Sequence, residues 1–347
     1  MLSSDSRIQG RYLVIDRIGQ GGMGAVYRAF DERLKIQVAL KQCSLSKPKF
    51  LAAFEQEARI LASLRHPTLP RVTDHFSDES GQFLVMDFID GDDLGEMLNV
   101  NKEPFAVQQV TQWADQILHA LEFLHSRNPP VLHRDIKPQN LKPDAEGNII
   151  LLDFGLAKGL APHHALQRVD LSGFTLQYAA LEQLQGQATE QSDLYSLAAT
   201  LYHLLTGEAP LDALTRFTKT QNKQPDPLRP LVDITPSVPE PLSSFVHQSM
   251  AIHTNQRPAN ARVARDALHA ATRHDLILNF LRRFSTALRE GYSIEQIFEE
   301  FANTAPEPTA SEIGQILVDL RSGVPMQQAL DNWLARMPSE DLNLIIA

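Results

Sequence analysis

The chain has 347 residues, 43% of them hydrophobic and 21% charged, with a formal net charge of −10. Two or three domains and a globular core fit that length and balance. The acidic total argues against coating nucleic acid or lying on a membrane surface, roles that need a basic face. One cysteine, Cys43, excludes an internal disulfide and a cysteine-built metal site, and reads as a small buried filler. The N-terminus, MLSSDSRIQGRY, has no apolar signal segment, and no run reaches the roughly 18 apolar residues of a membrane span.

In chain order, residues 11–44 predict short strands broken by glycines: RYLVIDRI alternates and IQVALKQC is β-rich. Pro48 opens a helix, PKFLAAFEQEARILASLR, with Phe54, Ala58 and Leu61 on one face. FLVMDF (83–88) predicts a strand and 104–126 a helix. VLHRD and NIILLDFG predict short buried strands, and 192–206 a strongly apolar helix. Prolines 225, 227, 230, 236, 239 and 241 predict an irregular segment, with a helix in SSFVHQSMAI completing the same domain. The character changes around 272–275, and only helices follow.

Three motifs carry chemistry. In IGQGGMGAVYRA, Gly19, Gly21 and Gly24 form G-x-G-x-x-G, with Ile18 and Gly22 inside the same stretch. Glycines let backbone N–H groups approach phosphates, a flexible turn being the alternative. The flanks are strand-like on both sides, so the loop joins two antiparallel strands and does not open a dinucleotide-binding helix. Lys41 ends VALK. Glu57 lies on or beside the apolar face of the helix, where a carboxylate needs a partner, and Lys41 is the candidate. HRDIKPQN (133–140) precedes DFG (153–155). Phosphoryl transfer needs a base, a cation on the γ-phosphate and hard oxygen ligands for Mg²⁺; Asp135, Lys137, Asn140 and Asp153 supply those types.

Together these motifs resemble the bacterial Ser/Thr form of the protein kinase family over roughly residues 11–270. The resemblance implies an α+β, bilobal fold: a small β-rich lobe over about 11–88 and a large helical lobe over about 89–272. It implies an ATP- and Mg²⁺-dependent kinase acting on protein hydroxyls. Asp135 would be the catalytic base, Lys137 the γ-phosphate lysine, and Lys41 with Glu57 the α/β-phosphate pair. Asn140 and Asp153 would hold Mg²⁺. Ile18, Gly19, Gly21, Gly22, Gly24, Val26, Ala39, Lys41, Met86, Asp87, Ile89 and Asp93 would bind ATP, with Met86 as gatekeeper, Asp87 and Ile89 using backbone groups, and Asp93 on the ribose. Leu61, Val72, His133 and Phe154 match a stacked spine. Asp193 matches an aspartate that braces the catalytic loop, and Glu182 should meet Arg257.

Departures from the family pattern are specific. Leu181 replaces a proline before Glu182. Lys142 stands where the family places an apolar floor for adenine; its stem can serve while the ammonium reaches solvent. Ser172 is the one obvious phosphorylation site between Gly155 and Glu182, Thr175 being expected at the catalytic loop, with Arg134 to receive the phosphate.

Residues 273–347 predict a small all-α domain of helical hairpins. LREGYSIEQIF (288–298) recurs as LRSGVPMQQAL (320–330). Gly291 and Gly323 suit left-handed caps, Ser293 with Gln296 a capping box, and Pro325 a first helical turn. This tail resembles the cytoplasmic helical domain of type II secretion F-type and tight-adherence pilus proteins. Those continue into membrane helices, whereas this chain stops at LNLIIA, which implies a soluble module or a fragment of a longer protein. The expected partners are a protein substrate, a second copy of the chain, and a secretion or pilus component bound through 273–347; no nucleic acid is expected. The expected location is cytoplasmic, with membrane association through partners or a further C-terminal extension. Two other readings are a pseudokinase scaffold and a secretion or pilus assembly adaptor.

Overall fold

The computed structural model describes residues 2–21, 24–43, 48–153, 176–304 and 309–336. The chain divides into two compact units, Met1–Leu268 and His269–Ala347.

The first unit opens with a six-stranded antiparallel sheet in the order β1-β2-β3-β4-β6-β5. Its strands are β1 (Arg7–Ile8), β2 (Tyr12–Gly21), β3 (Gly24–Asp31), β4 (Ile36–Cys43), β5 (Val72–Asp78) and β6 (Gly81–Asp87). Directly paired residues share a face. One face carries Tyr27, Leu40 and Val85 in register, inside a core completed by Ile8, Tyr12, Val14, Ala25, Ala29, Val38 and Phe83. The other face carries Val26, Lys41 and Leu84 in one row, and Arg28, Ala39 and Met86 in the next. The alternation legible in the sequence therefore sorts core from cleft. The glycine-rich loop does join two antiparallel strands, Gly21 pairing Gly24. Gly24 is obligatory because a Cβ there would lie 1.8 Å from the Gln42 carbonyl oxygen. β1 and β5 were not foreseen; β1 is too short, and β5 too polar, for a periodicity signal.

Helix α1 (Pro48–Ser63) follows β4, as Pro48 predicted. The helical part contains α2 (Leu94–Asn101), α3 (Val107–His125), α4 (Leu181–Leu184), α5 (Glu190–Thr206), α6 (Ala213–Gln221) and α7 (Glu240–Ser249). α3 buries Val110, Trp113, Ala114, Ile117, Leu118, Leu121 and Leu124 along one stripe. α5 is buried on nearly all sides, which is why it reads as continuously apolar. A two-stranded ladder, β7 (Leu141–Pro143) and β8 (Ile149–Leu151), completes the unit. The strand expected in VLHRD is absent. The His133 and Arg134 amides donate to the Asp193 carboxylate instead of to a neighbouring strand.

Residues Ala261–Arg289 form one helix, α8, which runs straight through the change of character read around 272–275. No glycine or proline interrupts 261–290, so nothing breaks it.

In the second unit α9 (Ile294–Thr304), α10 (Thr309–Arg321) and α11 (Met326–Arg336) enclose Ile297, Phe298, Phe301, Ile313, Ile316, Leu317, Ala329 and Trp333. The sequence repeat is a structural repeat at the same offset. Tyr292 N–H donates to Ala287 O and Val324 N–H to Asp319 O; Ile297 N–H donates to Ser293 O and Ala329 N–H to Pro325 O. Gly291 and Gly323 take φ of 91° and 83° as left-handed caps. Ser293 and Gln296 make both bonds of the capping box, at 3.0 and 3.2 Å. Pro325 sits just before the first turn of α11.

Candidate functional site

The cleft begins on the sheet face described above. Val26, Ala39 and Lys41 line it from β3 and β4, with Gly19 paired to Val26 at the loop and Met86 at the end of β6. Ile18 is largely exposed beside them. Asp87 N–H donates to Arg71 O, so a base binding here would use the Asp87 carbonyl and not its amide. The chain then passes Phe88 and Ile89 to Asp93, which caps α2 through a bond from Glu96 N–H at 2.9 Å. Burial pushes the Asp93 carboxyl up, against the pull of the Glu96 amide. Lys142, on β7, places its ammonium 5.8 Å from the centre of the Phe88 ring. Arg28 approaches the same ring at 5.8 Å.

Lys41 Nζ lies 3.2 Å from Asp153 Oδ1, a contact 112 residues apart in sequence. Asp153 adopts φ 52°, a strained backbone for a residue with a side chain. Asn140 Nδ2 donates to Asp135 O at 2.7 Å and to Asp135 Oδ2 at 3.0 Å. Lys137 Nζ is 3.2 Å from the same Oδ2. Leu152 N–H donates to Asn140 O, tying the strand that leads to Asp153 to the loop that carries Asp135. Lys41, Asp135, Lys137, Asn140 and Asp153 thus converge on one cleft, as the motifs implied.

Behind them sits a buried polar brace. Asp193 is completely buried and accepts from His133 N–H and Arg134 N–H, both at 2.8 Å, and bonds His125 Nε2 at 3.0 Å. Burial alone would raise its carboxyl; the bond to His125 and the neighbouring donors hold it below the usual carboxylate range. Burial pushes His133 down, so it stays a neutral ring, bonded to Leu152 O at 3.1 Å. Arg134 takes φ 65°, and its carbonyl accepts from Gln183 Nε2 at 2.8 Å. Glu182 meets Arg257 through bonds of 2.7 and 3.2 Å, and Ser192 Oγ donates to it at 2.6 Å. Leu61 and Val72 are buried as expected.

The Lys41–Asp153 contact and the roles of His125, Gln183 and Ser192 were missed. None has a local signal; each depends on a partner at least ten residues away. The Gly22 position, the Glu57 side chain and residues 154–175, with Phe154, Ser172 and Thr175, lie outside the described residues.

Residues 12–271 match the protein kinase domain model, and 280–347 match that of type II secretion system protein F. A probable serine/threonine-protein kinase PknB of Lactococcus lactis is 32% identical over 246 residues, covering 70% of this chain and 39% of its own. The serine/threonine-protein kinase PrkC of Bacillus subtilis is 32% identical over 253 residues, covering 71% and 38%. The chain therefore spans less than two fifths of these relatives' length. Among solved structures, the apo form of PpkA-294 superposes with a TM-score of 0.65 at 24% identity, over 77% of this chain and 99% of that one. The PknI kinase domain of Mycobacterium tuberculosis gives 0.60 at 25% identity, over 78% and 100%.

Proposed function

The chain belongs to the protein kinase family, and from that premise we propose that it transfers the γ-phosphoryl group of ATP to serine or threonine hydroxyls of protein substrates. The observation that carries this reading is the convergence of Lys41, Asp135, Lys137, Asn140 and Asp153 from three segments onto one cleft, with Lys41 on the sheet whose β2 and β3 the glycine-rich loop joins. The loop and Lys41 hold the α- and β-phosphates, with Glu57 as partner to Lys41. Val26 and Ala39 cover the base from above and the Lys142 stem supports it from below. Met86, Asp87 and Ile89 meet its edge, and Asp93 meets the ribose. Lys137 and Asn140 orient Asp135, which accepts the proton of the incoming hydroxyl as the phosphoryl group moves to that oxygen and ADP leaves. Lys137 also balances charge on the transferring group.

Asn140 and Asp153 fit Mg²⁺ by donor type, since both offer hard oxygens; with Asn140 Nδ2 bonded to Asp135, its amide oxygen is the atom that would hold the metal. Among the described residues no group of three or more His, Cys, Asp or Glu is placed to hold a metal ion. Mg²⁺ held by two protein oxygens would draw its other ligands from phosphates and water, and would neutralise phosphate charge.

The test is transfer of labelled γ-phosphate to a generic protein or to the chain itself. Asp135→Asn should drop labelling by roughly 10²–10⁴-fold. Equal labelling by both proteins would break the assignment of Asp135, and no labelling by the wild type would leave a nucleotide-binding scaffold as the reading. We assign the kinase domain to 11–272 and the helical domain to 273–347, place the chain in the cytoplasm, and expect Ser172 to be phosphorylated in active protein. The second domain would bind a secretion or pilus component or a second copy of the chain. The described residues contain no helix long and apolar enough to cross a membrane.

A further inference from the structure

Between α1 and β5 the chain passes through His66-Pro67-Thr68, and this loop meets α3 through a pair of histidines. His66 Nε2 lies 3.2 Å from His119 Nδ1, the rings crossing edge-to-face with centres 4.8 Å apart. Thr68 N–H donates to His66 Nδ1 at 3.1 Å. That bond fixes the proton count. Nδ1 of His66 accepts, so it carries no proton in the neutral ring, and Nε2 must carry one. Nε2–H therefore donates to His119 Nδ1, and the His119 proton sits on Nε2. Bonds run in one direction, from the Thr68 amide through both rings.

A further proton has no place in this chain of bonds. On His66 Nδ1 it would confront the Thr68 N–H. On His119 Nδ1 it would confront the His66 N–H. Either way one bond is lost. The surroundings add to the bias. Burial first, then His119 and the Arg265 guanidinium, push His66 down to about 4. The charged group that acts on His66 is Arg265 of α8, which is tied to Asp115 of α3 at 2.6 and 3.1 Å and also feels Glu122 of α3 and Asp266 of α8. Arg65, in the same loop, spends its guanidinium on the Ala62 and Leu64 carbonyls. Phe123 packs on the His66 ring at 5.3 Å.

The loop held this way touches the cleft. Leu151 N–H donates to Thr68 O at 2.8 Å, two residues before Asp153. Thr68 Oγ1 reaches Gln116 O of α3 at 3.5 Å. Leu61, at the end of α1, is buried a few residues upstream. Thr68 thus links α3, β8 and the exit of α1.

We propose that His66 and His119 form a proton-operated latch, closed when both rings are neutral, that fastens the loop after α1 to α3 and supports the strand leading to Asp153. Acid opens it. Amide exchange of the 64–70 segment in the full-length chain, corrected for intrinsic rate, reads the latch without requiring catalysis, so a catalytically silent chain tests it equally well. In the wild type, exchange should be flat from pH 7.5 to about 6.5 and then rise toward pH 5.0 by about tenfold per pH unit for one proton coupled to opening. His119 is exposed, so its replacement should leave the fold intact. His119→Asn retains an acceptor near Nδ1 but removes one of the two proton sites, so its acid response should be smaller than that of the wild type. His119→Ala should leave it open at both. An acid response in His119→Asn equal to that of the wild type, or none in the wild type, would overturn the latch.

Discussion

The catalytic loop and the terminal hairpins are stabilised in opposite ways. Around the loop, ordering comes from buried charge: one carboxylate, Asp193, accepts two amides and a histidine, and a second, Glu182, is locked to Arg257. In the hairpins it comes from a small apolar core closed by two glycine caps, with ion pairs such as Arg336–Glu312 left at the surface. A loop that must present Asp135 without strand or helix bonds needs its amides satisfied from elsewhere. Hairpins that satisfy their own amides can rely on pattern. The contrast teaches where each part is brittle: the loop to loss of one acceptor, the hairpins to loss of one large side chain.

Changes in each region should separate these modes. Asp193→Ala strips three buried donors of their acceptor and should destabilise the first unit by about 3–5 kcal/mol, read from urea midpoints. Full stability in that variant would break the brace. Trp333→Ala removes the largest buried side chain of the second unit and should cost about 3–5 kcal/mol of its stability, seen as early loss of helical signal.

Acid sharpens the comparison. Burial alone would raise the Glu182 carboxyl, but Arg257 and Ser192 hold it below its ordinary value. Its folded value is depressed, so its contribution is present above the unfolded value of about 4.3 and is lost as pH falls through the folded value. The gap in urea midpoint between wild type and Glu182→Gln should therefore be wide at pH 7 and narrow near pH 3. A constant gap would remove the ion pair as its source.

Gly291→Ala and Gly323→Ala should each cost about 1–2 kcal/mol, and by similar amounts, because both caps have the same backbone role. Unequal costs would show that the two hairpins are not equivalent. The smallest effect belongs to Glu312→Gln, whose partner Arg336 is a partly exposed surface cation; it should change stability by less than about 1 kcal/mol.

Legibility followed the range of the interaction. The hairpin caps, the Ser293 box and the alternation of RYLVIDRI in β2 are local, and each was readable within a few residues. The motifs that meet in the cleft were readable because they are short and ordered. The ion pair of Lys41 with Asp153, the loss of the VLHRD strand and the continuity of α8 past residue 275 were not. The first two depend on partners about 60 to 110 residues away. The third depends on there being nothing to stop a helix, which a shift in composition concealed.

The sequence by itself determined the two-part organisation, the motifs that line the cleft and the glycine-stopped repeat, because period, spacing and backbone freedom are properties of neighbouring residues. Tertiary structure alone decided which carboxylate braces which amides, which face of the sheet becomes the cleft wall, and that His66 and His119 stand ring to ring. Those are matters of chain crossing, and a buried proton or charge finds its partner only when the fold has brought distant segments together.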